Sequence, residues 1–289
     1  MISNNNLDLF EKLKIDKNHE IFSSETFTKD KYLFNILIKK INLAGANIMS
    51  DGVNYIISNE SQETAPRIWT KDNFDKTKLK EIEDIIWKYY LVKNKMTFTW
   101  KKELYNALLN DNFKLIDKFD YFELGFMKCD ELKETKPNDW VLDKVKPEES
   151  ELIADYIYKF NDFQDDSVTK YSMKTEEEKR KECNEAMEKE IDNPNFYVLR
   201  NSDNKIVCMA HYTDYPDGTS RVWLVYTPDE ERQKWYAAKL VYELTKKILN
   251  SWLTPVLYTD QNYPNSNKAY ANAGYENNGT LVSFSCKKK

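Results

Sequence analysis

The sequence predicts an α/β protein of the α+β kind, built in two halves where short strands alternate with helices. Three observations lead there. Short runs of strand character recur along the chain, separated by stretches with apolar residues at helical spacing. A polar segment, 130–139 (DELKETKPND), carries Pro137 and separates two apolar-rich halves. The stretch 221–275 reads strand, loop, helix, strand, helix: RVWLVYT, PDEERQKWYAAKLVYELTKKIL, VLYTD, NSNKAYANAGY. The expected domains are 1–138 and 139–289.

In the first half the pattern predicts a helix over 31–44, with Leu33, Ile36, Leu37 and Ile41 on one face and Gly45 as its stop. NIMS and VNYIIS flank Asp51 and Gly52, a hairpin signal. RIWT (67–70) reads as a strand. Leu79, Ile82, Ile85, Ile86, Tyr89 and Tyr90 repeat at helical spacing, and 96–100 (MTFTW) alternates as a strand. Leu104, Tyr105, Leu108 and Leu109 mark a short helix, and 119–127 returns to strand character.

The second half opens with VLDKV and then PEESELIADYIYKF, where Pro147 and the acids behind it suit a helix start. An acidic helix spans about 174–191, its acids a solvated face or an attraction for a cationic amine. NFYVLR and KIVCMAHYTDY are strands joined by 201–204, and Asp217-Gly218 turns into the strand 221–226. The order RIWT, helix, MTFTW, helix, strand parallels RVWLVYT, helix, VLYTD, helix, strand. Internal duplication and the ordinary alternation of α/β chains both account for that rhythm.

The bulk numbers exclude several classes. With 289 residues, 41% hydrophobic and 31% charged, the chain has material for a real core. The net charge of -5 is interspersed and forms no basic stripe, so nucleic acid is not an expected partner. Cys129, Cys183, Cys208 and Cys286 make no CxxC pair and have only His19 and His211 beside them, so no metal site is expected. No window reaches the roughly 18 apolar residues that a membrane span needs. The opening MISNNNLDLFEKLKID has no charged n-region and no long apolar run. The expectation is a soluble, cytoplasmic protein with reduced thiols and no membrane partner. Composition leaves its oligomeric state open.

Two motifs carry the chemistry. Arg232, Gln233, Lys234, Trp235, Tyr236 and Ala237 lie between a strand and its following helix, behind TPDEERQ. Tyr258-Thr259-Asp260 ends a strand and leads into Asn265-Ser266-Asn267-Lys268-Ala269-Tyr270-Ala271-Asn272-Ala273-Gly274-Tyr275. Asn265 or Ser266 can cap that helix, and Gly274 can end it in a left-handed turn. Packing alone explains the apolar stripe Ala237, Leu240, Val241, Leu244 and Ile248.

Across 140–286 this order resembles the GNAT superfamily of acetyl-CoA-dependent N-acetyltransferases. The first motif is similar to the family's Arg/Gln-x-x-Gly-x-Gly/Ala loop, with Trp235 at the first glycine position. The second is similar to its N-x-x-x-x-Y-x-x-x-G-[FY] run. The resemblance implies a GNAT-like mixed, mostly antiparallel sheet flanked by helices, beside an N-terminal domain that is GNAT-like and degenerate or simply α+β.

It further implies acetyl-CoA as co-substrate and a small-molecule or peptide amine as acceptor. Backbone groups of Val225, Tyr226 and Thr227 would meet the pantetheine arm at the splay between the fourth and fifth strands. The loop 232–237 would hold the pyrophosphate, and Asn265 with Asn267 would lie along the cofactor. Tyr270 would protonate the leaving thiolate. His211, whose intrinsic pKa suits proton transfer, and Asp260, acting through water, are the candidate bases. Two other readings stand beside this one: a GNAT-derived scaffold that does not use acetyl-CoA, with Trp235 filling the pyrophosphate site, and a transferase with a bulkier acyl donor.

Overall fold

The computed structural model describes residues 11–59, 65–87, 95–111, 116–133, 140–164 and 174–288. Tyr89, Tyr90 and residues 134–139 of the polar segment lie outside them. Two compact units result: Met1–Gly125 with Gly279–Lys289, and Phe126–Asn278. The division precedes the polar segment that the sequence marks as a boundary. The last residues group with the first unit because of how the final strand pairs.

The first unit holds β1 (Asn47–Ser50), β2 (Tyr55–Asn59), β3 (Arg67–Thr70), β4 (Lys95–Lys101), most of β5 (Ile116–Lys128) and most of the final strand β11 (Glu276–Lys288). Their order is β1-β2-β3-β4-β11-β5. β11 runs antiparallel to β4 from Leu281↔Lys101 to Lys287↔Lys95. Trp100 packs within 5.1 Å of Phe98 and 4.7 Å of Phe284, ring centre to ring centre, so β11 supplies core as well as hydrogen bonds. The hairpin forms around Gly52, at φ +83°, with Asp51 Oδ1 accepting from the N–H of Val53 and Asn54.

The helix expected over 31–44 is interrupted. α1 (Glu25–Asp30) starts at Ser24, whose hydroxyl accepts from the Phe27 N–H, and α2 covers only Asn35–Ile41. The break falls at Phe34, whose φ of -108° and ψ of 28° leave the helical region. α3 (Leu79–Ile85) and α4 (Lys102–Asp111) follow β3 and β4.

The second unit holds β6 (Val141–Asp143), α5 (Ser150–Gln164), α6 (Glu176–Ile191), β7 (Phe196–Arg200), β8 (Ile206–Asp214), β9 (Thr219–Tyr226), α7 (Tyr236–Asn250), β10 (Thr254–Asp260) and α8 (Pro264–Ala273). The sheet order is β10-β9-β8-β7-β6, with the end of β5 beside β10. Successive strand residues face opposite sides. Val198 and Met209 join Ile153, Tyr156, Ile157, Cys183 and Met187 under α5 and α6. Leu199, Cys208, Ala210, Val222 and Leu257 join Leu240, Val241 and Leu244 under α7.

The rhythm seen in the sequence is a repeated topology. β1-β2-β3 and β7-β8-β9 are antiparallel, β3–β4 and β9–β10 are parallel, and a helix follows each parallel strand. The fold is a mixed, mostly antiparallel α+β arrangement. All four cysteines are buried.

Arg200, 2% exposed, fastens β6 and the turn before α5 to β7. Its Nε donates to Asp143 Oδ2 at 2.7 Å, and its two terminal nitrogens donate to Glu149 at 2.6 and 2.7 Å. The Arg200 hydrogen bond holds the Glu149 carboxyl below its ordinary pKa, against burial. At Asp143 burial pushes the other way but is outweighed by Arg200 and the Lys144 N–H, and that pKa is lowered too. Both groups bind protons less tightly folded than unfolded. Their contribution is therefore present above the ordinary carboxylate range, about pH 4, and is lost as the pH falls through their lowered values. Urea midpoints at about pH 7 and pH 3.5 should differ, and the gap should narrow in Glu149→Gln. An undiminished gap would assign the acid loss to other carboxylates.

Candidate active site

β9 and β10 are parallel neighbours only at their beginnings: Thr254↔Thr219, Pro255↔Ser220 and Val256↔Arg221. Beyond Arg221 and Val256 they share no ladder. Three residues further on, β9 is irregular. Between Trp223, opposite His211, and Tyr226, opposite Met209, β9 carries one residue more than β8. Leu224 sits there at φ 55°. A bulge of this kind bends its strand and re-aims the backbone. In the first unit the parallel contact instead lies at the end of β4, through Arg67↔Thr99 and Ile68↔Trp100. Buried Lys101 then binds Asp72 at 2.7 Å and also Asp30. Among the described residues no ion pair bridges the ends of β9 and β10.

Past the bulge, Val225 is half-buried against the cluster under α7. Tyr226 is buried on the other face, 5.3 Å from the Tyr156 ring. The Thr227 hydroxyl donates to Cys208 Sγ at 3.3 Å. Burial pushes the Cys208 thiol up to about 12, so it is no nucleophile at neutral pH.

The loop into α7 has unusual backbone. Gln233 and Trp235 have φ of 64° and 67°, a region that costs a residue with a side chain about 1 kcal/mol. The conformation is the one a glycine would take, held here by a tryptophan. Its indole does not fill the loop: Trp235 is 57% exposed. No side chain caps α7, so its first N–H groups lack intrahelical partners. Tyr236 and Ala237 begin the helix, with Tyr236 edge-on to Trp140 at 5.4 Å. Arg232 Nε donates to the Thr227 carbonyl, tying loop to strand. The loop cations are engaged by loop acids: Arg232 with Asp229 at 2.8 Å, Lys234 with Glu231 at 2.9 Å. The loop thus keeps a glycine-like backbone ahead of an uncapped helix start, while its side-chain charge is already balanced.

α8 starts earlier than its cap candidates suggest. Pro264 occupies its first turn and Tyr263 precedes it, so Asn265 and Ser266 lie inside the helix. Asn265 is exposed. Asn267 donates from Nδ2 to the carbonyls of Asp260 and Gln261 at 3.1 and 3.2 Å, and its Oδ1 is buried without a partner among the described residues. Tyr270 lies in the cluster with Cys208 and Tyr275. Burial raises its pKa, and Cys208 adds to the effect. Gly274 ends the helix at φ 108°.

The two base candidates are placed differently. His211 is 1% exposed. Its Nδ1 lies 2.6 Å from Glu190 Oε2, and Trp223 packs edge-on at 3.8 Å. Its neighbour Phe196 belongs to the cluster under α5 and α6, so His211 and Tyr270 are on opposite faces of the sheet. Asp260, half-buried at the end of β10, accepts from the Asn262 N–H at 2.8 Å and braces the turn into α8. The structure therefore brings Tyr270, Cys208 and Thr227 together at the end of β9 and leaves His211 behind the sheet. The bulge at Leu224 and the Glu190–His211 pair had no sequence signal.

Solved structures share this fold over nearly the whole chain. An acetyltransferase from the GNAT family from Colwellia psychrerythraea superposes with TM-score 0.54 at 12% identity, covering 92% of this chain and 98% of its own. The chain has the GNAT fold. A GCN5-related N-acetyltransferase from Kribbella flavida matches this GNAT-fold chain with TM-score 0.56 at 13% identity, over 91% of this chain and 96% of its own. A functionally unknown conserved protein from Staphylococcus epidermidis matches with TM-score 0.54 at 10% identity, over 86% and 96%. No family profile and no curated protein matches the sequence. Among the described residues no cluster of metal-ligating side chains occurs, and no helix is long and apolar enough to cross a membrane.

Proposed function

We propose that this GNAT-fold chain is an N-acyltransferase that moves an acetyl group from acetyl-CoA to a primary amine by direct attack. The observation that carries the reading is the parting of β9 and β10 beyond Arg221 and Val256, with the Leu224 bulge further along β9 and Tyr270 packed beside the end of β9. Strained backbone at Leu224, Gln233 and Trp235 clusters on one strand and its loop, as expected where a site needs a fixed geometry.

In this reading the pantetheine arm lies in the gap and the pyrophosphate meets the uncapped start of α7. The acceptor nitrogen attacks the thioester carbon. A backbone N–H near Tyr226 polarises the carbonyl oxygen. As the carbon–sulfur bond breaks, the Tyr270 hydroxyl gives its proton to the sulfur. Of the two base candidates, Asp260 has solvent access and His211 does not, so removal of the ammonium proton is assigned to Asp260 through water. The cytoplasm, with its acetyl-CoA supply, is the compartment this reading implies.

The engaged loop cations favour the alternative, a fold retained without acetyl-CoA chemistry. Calorimetric titration separates the two. Saturable one-site binding of acetyl-CoA and CoA is expected, and an amine screen then finds the acceptor. No heat at millimolar ligand would overturn the donor reading and leave the scaffold.

A further inference from the structure

Trp235 is a mostly exposed indole at a backbone position that disfavours it. The cations around it divide into two kinds. Arg232 and Lys234 are paired with Asp229 and Glu231, Lys205 with Glu231, and Lys239 with Glu243. Lys268, on the exposed side of α8, meets no carboxylate among the described residues. Its ammonium lies 6.0 Å from the centre of the Trp235 ring. An ammonium with no carboxylate partner among the described residues therefore lies over an exposed indole, just outside the loop that the proposed donor would cross on leaving the β9–β10 gap.

We propose that Trp235 and Lys268 form the subsite for the adenosine 3′-phosphate end of the donor, the indole stacking on adenine and the ammonium meeting the ribose 3′-phosphate. This rests on the acetyl-CoA reading above and adds side-chain roles to it. Stacking of a base on an aromatic side chain is sequence-tolerant and strong enough to fix a ligand end, and a lysine recognises phosphate as a point charge. The pair replaces the charge that Arg232 and Lys234 no longer offer. It also reverses the expectation that the indole obstructs the loop, in which case glycine at 235 would tighten binding.

The test is calorimetric titration of the full chain and three variants with CoA and with 3′-dephospho-CoA. Trp235→Gly should weaken both ligands by roughly tenfold, although it relaxes the backbone, and Trp235→Phe should recover most of the loss. Lys268→Ala should bring CoA down to the affinity of dephospho-CoA and leave dephospho-CoA unchanged. Unchanged or tighter binding by Trp235→Gly, or an equal loss of both ligands in Lys268→Ala, overturns the subsite while the donor reading stands. A wild-type chain that binds neither ligand overturns the donor reading, and the subsite with it.

Discussion

Replacing Tyr270 with phenylalanine should lower turnover by about a hundredfold or more while leaving acetyl-CoA affinity nearly unchanged. General acid–base catalysis contributes about 10²–10⁴ in rate, and the substitution removes one oxygen from a side chain whose ring keeps its packing. Among the described residues the Tyr270 hydroxyl has no hydrogen-bond partner to strand, so stability should hardly move. Burial first, and then the neighbouring Cys208, hold the phenol pKa above its ordinary value of about 10. The group therefore keeps its proton throughout the neutral and mildly alkaline range. Turnover should not fall between about pH 7 and 9 through loss of that proton. Stopped assays of CoA release over that range check both points. A Phe variant with wild-type turnover would remove Tyr270 from the chemistry.

Gly274→Ala should destabilise the second unit by about 3 kcal/mol, within the range of severe single substitutions with a named mechanism. Two costs combine. The position has φ 108°, where any residue with a Cβ is strained, and the new Cβ would stand 2.4 Å from the Glu131 carbonyl oxygen and 3.1 Å from the Lys133 nitrogen. Both are backbone atoms, and the Lys133 N–H already donates to the Ala273 carbonyl. The segment after β5 must shift or α8 must tilt. Because α8 carries Tyr270, activity should fall more steeply than the folded fraction does. Denaturant unfolding beside turnover per folded molecule measures the two effects. A midpoint shift within error of zero would mean that the 131–133 segment yields freely.

Much of the fold was legible because it is local. Strand runs such as RIWT and MTFTW, the Asp51-Gly52 hairpin and the stop at Gly274 each have their cause within a few residues. The interruption at Phe34 was not, since the apolar spacing of Leu33, Leu37 and Ile41 continues across it. Pro264 was a usable signal for the start of α8, and the asparagine motif one residue later drew attention from it. The candidate site divides the same way. Tyr270 and the loop 232–237 follow from the resemblance of their motifs to the GNAT patterns. The bulge at Leu224 has no glycine to mark it, and the outward turn of Trp235 depends on a φ that its residue type argues against. His211 looked equivalent to Asp260 in one dimension. Only the alternation of β8, fixed by its neighbours, puts it on the other face. The division after Gly125 was not legible because strand pairing is non-local: nothing in the polar segment 130–139 says where β11 will pair.

That pairing sets the order in which the protein can assemble during synthesis. The second unit, Phe126–Asn278, is one uninterrupted stretch and has all its parts as soon as residue 278 clears the ribosome. The first unit is translated first yet must wait, because the partner of Lys95–Lys101 and the Phe284 ring that meets Trp100 come from residues 281–287. Until then β4 presents an unpaired edge and an uncovered aromatic face, the kind of surface on which nascent chains aggregate. The N-terminal unit is the last to finish, and a chain stopped between residues 278 and 281 would leave it, rather than the C-terminal unit, with an unfinished core.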